Sequence, residues 1–163
     1  MRRIGILTGG GDVPGLNAVI KSVVYQRTDM DYEVIGIRRG WEGLTHLKQG
    51  PQLDSEYVLI LDRNNTRGID RTGGTMLHTS RTNPPKMRRA GLPKHLPPKK
   101  LESLRVSDEV YDLTPLVLEN IEHLDLDCLI AIGGDDTLSF AKRLDSKGVR
   151  IIGIPKISSF GFH

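Results

Sequence analysis

An α/β fold, with a mostly parallel sheet flanked by helices, is the class this sequence predicts, and three observations predict it. Apolar runs of strand length recur along the chain, and the run at 128–132 is almost uninterrupted, as expected of a strand covered on both faces. Between these runs, apolar residues return at the three- and four-residue spacing of a helix. Strand, helix and strand then follow at short intervals twice over. That is the order of a parallel, Rossmann-like sheet with ligands at the carboxyl ends of its strands.

The first strand is expected at 3–7. After a glycine-rich turn, Leu16, Val19, Ile20, Val23 and Val24 form one apolar helical face. A second strand is expected at 32–37 and a third at 57–61. Residues Leu113, Leu116, Val117, Ile121 and Leu124 make another helical stripe. The strand at 128–132 leads into a helix through Leu138, Ala141 and Leu144 that ends near Gly148, and 150–154 is the next strand.

A length of 163 residues suits one domain with a real core. A content of 37% hydrophobic and 26% charged residues excludes a disordered chain. No apolar run approaches the roughly 18 residues that span a bilayer, so a cytoplasmic protein is expected. Cys128 is the single cysteine and has no partner for an internal disulfide. A formal net charge of +3 says little about partners, but the charge is uneven. Lys86, Arg88, Arg89, Lys94, Lys99 and Lys100 follow one another without an acidic residue, and five prolines precede or interrupt them. The segment 84–100 is therefore expected as an irregular basic loop, either solvated or lying over an anionic ligand. It has no aromatic residue for base stacking, which argues against a nucleic-acid arm.

Three motifs carry chemistry. Thr8-Gly9-Gly10-Gly11-Asp12-Val13-Pro14-Gly15-Leu16-Asn17 lies between the first strand and first helix. Consecutive glycines let backbone N–H groups approach a phosphate, although a tight strand-to-helix turn explains them equally well. It lacks the Gly-Lys-Ser/Thr of a Walker loop and the spacing of a dinucleotide fingerprint. Gly73-Gly74-Thr75-Met76-Leu77-His78-Thr79-Ser80-Arg81 adds hydroxyls and a planar, permanently charged arginine. A polar turn is the plainer reading of this motif alone, and His78 is not expected to be catalytic. Gly133-Gly134-Asp135-Asp136-Thr137 ends the apolar strand where a helix begins. Helix N-termini normally attract anions, so twin carboxylates suggest a metal-assisted phosphate site, with capping as the alternative for Asp136 and Thr137.

Together these motifs resemble the phosphofructokinase family. The matching blocks are 10–17, Gly-Trp-Glu-Gly-Leu at 40–44, 73–81, Ile-Gly-Gly-Asp-Asp-Thr-Leu at 132–138 and Ile-Gly-Ile-Pro-Lys at 152–156. Their order and spacing cover nearly the whole chain. The resemblance implies a single, truncated donor-binding domain over 1–163 and phosphoryl transfer to the 1-hydroxyl of fructose 6-phosphate, in glycolysis, with Mg²⁺. It implies that Gly10, Gly11, Asp12, Arg81, Gly134, Asp136, Thr137 and Lys156 surround the donor phosphates and that Asp135 holds the metal. ATP users in the family usually carry glycine where Asp136 stands and again where Lys156 stands, so pyrophosphate is the expected donor. Two like charges about 4 Å apart repel by about 4 kcal/mol at an effective dielectric of about 20, before screening. The alternatives are an ATP-dependent member and a non-catalytic phosphate-binding or regulatory fragment. A complete family enzyme is expected to be a homo-oligomer.

The match breaks after Lys156. The family continues with Thr, a hydrophobic residue and an Asp-containing triplet whose first aspartate is taken as the base. Here Ile157-Ser158-Ser159-Phe160-Gly161-Phe162-His163 carries no carboxylate side chain. The resemblance thus implies roughly half a family subunit, through truncation or frameshift, with little or no kinase activity alone.

Overall fold

The computed structural model describes residues 1–11 and 13–156. Seven strands and five α-helices are formed by these residues. They are β1 (Arg2–Thr8), α1 (Leu16–Thr28), β2 (Tyr32–Ile37), α2 (Trp41–His46), β3 (Val58–Leu61), β4 (Met87–Arg88), α3 (Pro98–Ser103), β5 (Val110–Tyr111), α4 (Thr114–His123), β6 (Cys128–Gly133), α5 (Asp135–Ser146) and β7 (Ile151–Pro155).

The main sheet has the order β3-β2-β1-β6-β7. All its pairings are parallel except β2 with β3. Successive side chains of a strand face opposite ways, and the core divides accordingly. Leu7, Ile35, Ile37, Leu129 and Ala131 pack with α2, α4 and α5. Ile4, Ile6, Val34, Ile130 and Ile132 pack with α1 on the other face. The interior strands are therefore apolar on both sides, which is why their sequences read as unbroken runs. Between α2 and α4, the fully buried Asn120 donates to the Leu44 carbonyl at 2.7 Å and accepts from Gln49 at 2.8 Å.

The segment 84–100 differs from the expected irregular loop. It contains β4, a single 3-10 turn at Arg89–Gly91 and the start of α3. β4 pairs antiparallel with β5, and Met87, Leu104, Tyr111, Leu113 and Leu116 form a separate small core beneath the pair. The prolines punctuate the segment without preventing a fold, because Leu92 and Leu96 also pack there. Lys86, Arg88, Arg89, Lys94 and Lys99 are exposed, while Met87 is buried and Leu92 and Leu96 are partly buried. The Leu113 N–H donates to the Pro84 carbonyl at 2.7 Å and fastens the segment to the start of α4.

Candidate functional site

The carboxyl ends of β1 and β6 lie side by side, with Thr8 opposite Ile132. The Gly9 N–H donates to the Ile132 carbonyl at 2.8 Å and extends this pairing into the first glycine loop. Thr137, in the first turn of α5, explains the glycines on both strands. A Cβ on Gly9 would stand 2.4 Å from Thr137 Oγ1, and one on Gly133 would stand 2.6 Å from Thr137 Cβ. Gly10 adopts φ 78, where a side chain is strained. Two strand ends and a helix thus converge on one buried threonine.

Hydroxyls and one amide join the second glycine turn to this frame. Thr8 Oγ1 donates to the His78 carbonyl at 3.0 Å and lies 3.0 Å from Thr75 Oγ1. Since Thr8 has one hydroxyl proton, Thr75 is the donor between them, and Thr75 Oγ1 accepts in turn from the Leu77 N–H at 3.1 Å. Asn17 Oδ1 on α1 accepts from the Met76 N–H at 2.7 Å. Ser80 Oγ donates to the Arg39 carbonyl at 2.7 Å. The turn is held by polar contacts from β1, α1 and the loop before α2, buried at Thr8 and Thr75 and exposed where Ser80 meets Arg39.

Of the residues singled out in the sequence, Gly10, Arg81, Asp136 and Thr137 line one cleft of about 130 Å³. Trp41 and Phe140 also line it, and their rings meet edge to face at 4.8 Å and 83°. Gly134 is the N-cap of α5, extended and without a side-chain cap, and it leaves Asp135 and Asp136 in the first turn. Both carboxylates are exposed, where the helix dipole favours negative charge. Lys156 follows β7, and its ammonium donates to the carbonyls of Gly9, at 2.7 Å, and Gly11. It thereby ties β7 to the first glycine loop. Asp12 and everything after Lys156, including the position of the expected base, lie outside the described residues.

Among the described residues, no group of three or more His, Cys, Asp or Glu side chains could hold a metal. The resemblance assigns Mg²⁺ to Asp135, and one exposed carboxylate fits an ion that usually keeps waters and binds one or two carboxylates with phosphate oxygens. His78 is exposed at φ 59 and does not line the cleft.

Trp41 and Phe140 have no assigned role in the sequence reading. Trp41 lies within the Gly-Trp-Glu-Gly-Leu block as the only tryptophan, and that was the available signal. It is 3% exposed, yet its Nε1–H has no hydrogen-bond partner among the described residues. A buried donor without a partner is costly unless something in the cleft accepts from it.

A second cavity, of about 1000 Å³, borders the same residues 80–83 and extends along α2 and the 84–95 segment. His95 in its wall is held below the ordinary histidine value by partial burial first, then by the Lys48 and His46 charges. The Tyr57 hydroxyl, also in the wall, is pushed up by burial and by Glu56.

Comparison with known proteins places these observations. The family model described as "Phosphofructokinase" matches residues 3–159. The chain is 38% identical over 154 residues to the pyrophosphate–fructose 6-phosphate 1-phosphotransferase of Dictyoglomus thermophilum, covering 94% of this chain and 35% of that protein. It is 41% identical over 155 residues to ATP-dependent 6-phosphofructokinase 3 of Streptomyces coelicolor, covering 94% and 36%. The phosphofructokinase of Pichia pastoris shares the fold, with a TM-score of 0.70, 24% identity, and coverage of 97% of this chain and 16% of that one. The chain spans about a third of the length of the two curated relatives, less than the half expected from the sequence. No described helix is long and apolar enough to cross a membrane.

Proposed function

The chain belongs to the phosphofructokinase family, and from that premise we propose that it carries the phosphoryl-donor site of a fructose 6-phosphate 1-phosphotransferase that uses pyrophosphate. The observation that carries this reading is the small cleft with Asp136 in its wall. At about 130 Å³ it falls below the roughly 300–1,000 Å³ of pockets that enclose drug-sized ligands. A compact inorganic donor suits that space, and the Asp136 carboxylate opposes a further phosphate.

In this reading Arg81 grips a terminal phosphate through its planar fork. The glycine backbone of 9–11 gives the donor close access, and the unpartnered Trp41 Nε1–H supplies one more hydrogen bond. Asp135, with Asp136 beside it, would hold Mg²⁺, which neutralises phosphate charge when bound. Lys156 acts chiefly by fixing the loop carbonyls of Gly9 and Gly11. Fructose 6-phosphate as acceptor, glycolysis as setting, a cytoplasmic location and assembly as a homo-oligomer are proposed from the relatives. The Streptomyces relative favours ATP as a second reading of the donor.

Trp41 is the sole tryptophan and lines the cleft, so its fluorescence reports donor binding. Titration with Mg-pyrophosphate should change the emission at lower concentration than Mg-ATP does. An Asp136→Gly variant should narrow or reverse that order. An unchanged order in the variant would remove the role given to Asp136. Lys156→Gly is the poorer probe, because it also releases the loop carbonyls.

A further inference from the structure

The larger cavity is not used by a pyrophosphate site, and its chemistry is distinctive. Five basic side chains line it: Lys48, Arg81, Lys86, Arg88 and Lys94. None of the five joins an ion pair among the described residues. Of the two acidic residues in the wall, Glu42 is already engaged by Arg39 at 3.4 Å, which leaves Glu56. Folding normally spreads or pairs charge, so an unneutralised cluster around a concavity raises local anion concentration. His95 is depressed first by burial and then by the Lys48 and His46 charges, with Asp54 opposing them.

The position of the cluster narrows the ligand. Residues Ser80, Arg81, Thr82 and Asn83 border both this cavity and the donor cleft. Arg81 therefore stands where an anion held in one cavity meets the other. The cations come from separate places: Lys48 after α2, Arg81 from the second glycine turn, and Lys86, Arg88 and Lys94 from the folded 84–95 segment. Three separated lysine charges with two arginine forks, Arg81 and Arg88, match a ligand bearing repeated negative charge along its length. A single phosphate would engage only part of the set.

We propose that this cavity binds linear inorganic polyphosphate, with one end of the chain at Arg81 beside the donor cleft and the rest lying against Lys86, Arg88, Lys94 and Lys48. The proposal rests on the donor-site reading for the placement of that end. The cavity itself does not depend on that reading.

Calorimetry with pyrophosphate, tripolyphosphate, medium-chain polyphosphate and ATP, each with Mg²⁺ on the whole chain, tests it. Affinity should rise with chain length, roughly tenfold or more from pyrophosphate to the medium chain, since several charge-assisted contacts are added. Lys86→Ala with Lys94→Ala should remove most of that gain and leave pyrophosphate binding unchanged. Lys86→Arg with Lys94→Arg should keep the gain, which separates charge from any disturbance of the fold. A control pair on α5 and at its C-cap, Lys142→Ala with Lys147→Ala, should also keep it.

Equal affinity for all chain lengths would overturn the proposal while pyrophosphate binding preserved the donor site. Equal loss in the control pair would overturn it too, as general surface attraction. ATP binding as tight as the medium chain, with the same dependence on Lys86 and Lys94, would assign the cavity to a nucleotide instead. Absent pyrophosphate binding, with polyphosphate binding still governed by Lys86 and Lys94, would sink the donor-site reading and leave this proposal standing.

Discussion

Two cavities border residues 80–83, and they are built in opposite ways. The small cleft is framed by buried parts: Thr137 between Gly9 and Gly133, the Thr8 and Thr75 hydroxyls, and the Trp41–Phe140 ring pair. The large cavity carries five exposed cations in its wall, three of them on a separately cored segment. Close packing fixes position and excludes larger ligands, whereas unpaired surface charge attracts anions with little demand on shape. A fold that places the two side by side can draw in a polyanion broadly and discriminate narrowly.

The strongest way to break this comparison is to overfill the frame. Gly133→Ala should cost about 1–3 kcal/mol of stability through overpacking against Thr137, measured by urea unfolding, and should abolish donor binding. Gly11→Ala, whose new Cβ meets nothing within 4 Å, should stay within about 0.5 kcal/mol. Similar costs for both would deny that the frame is tightly built.

Arg81→Ala comes next, because Arg81 borders both cavities. Losing hydrogen bonds to a charged ligand costs about 1.5–3 kcal/mol, so pyrophosphate and polyphosphate affinities should both fall about ten- to a hundredfold. An effect on one ligand alone would show that the cavities do not share this residue functionally.

Trp41→Phe is subtler. It keeps the ring contact with Phe140 and deletes the unpartnered Nε1–H. Donor affinity, read by calorimetry, should drop by about 0.5–1.5 kcal/mol. Stability of the unliganded chain should hold or rise, since a buried unsatisfied donor is gone. A loss of stability without loss of affinity would make Trp41 purely structural.

The smallest effect concerns pH in the large cavity. His95 is held below its ordinary value of 6.5, so between 6.5 and its folded value the folded state binds fewer protons than the unfolded state. Stability from this residue is present above pH 6.5 and declines as pH falls through that window. A bound polyanion favours protonated His95, so polyphosphate affinity should rise over the same window. His95→Gln should flatten both slopes.

The sequence was legible wherever burial was two-sided or periodic. The apolar runs at 32–37 and 128–132 became β2 and β6 nearly residue for residue. The stripes of α1 and α4 were equally plain, because one helix face meets the sheet. The antiparallel β3 was not foreseeable, since its four residues carry no sign of direction. α2 is short and contains Gly43, whose added Cβ would stand 2.4 Å from the Arg38 carbonyl oxygen, so local propensity argued against a helix. β4, α3 and β5 were hidden by prolines and charges, although Met87 and Tyr111 with Leu104 build a core there. In the site, glycines and carboxylates announced phosphate chemistry. The reason Gly9 and Gly133 must both be glycine emerges only when Thr137 packs against both strands.

On the function proposed above, the narrow cleft selects a compact inorganic donor through Asp136. Calorimetric competition between Mg-pyrophosphate and Mg-ATP on the whole chain tests it most directly. Pyrophosphate should bind more tightly and displace ATP, and Asp136→Gly should erode this advantage. ATP binding more tightly to the unsubstituted chain, or a preference indifferent to Asp136→Gly, would contradict it.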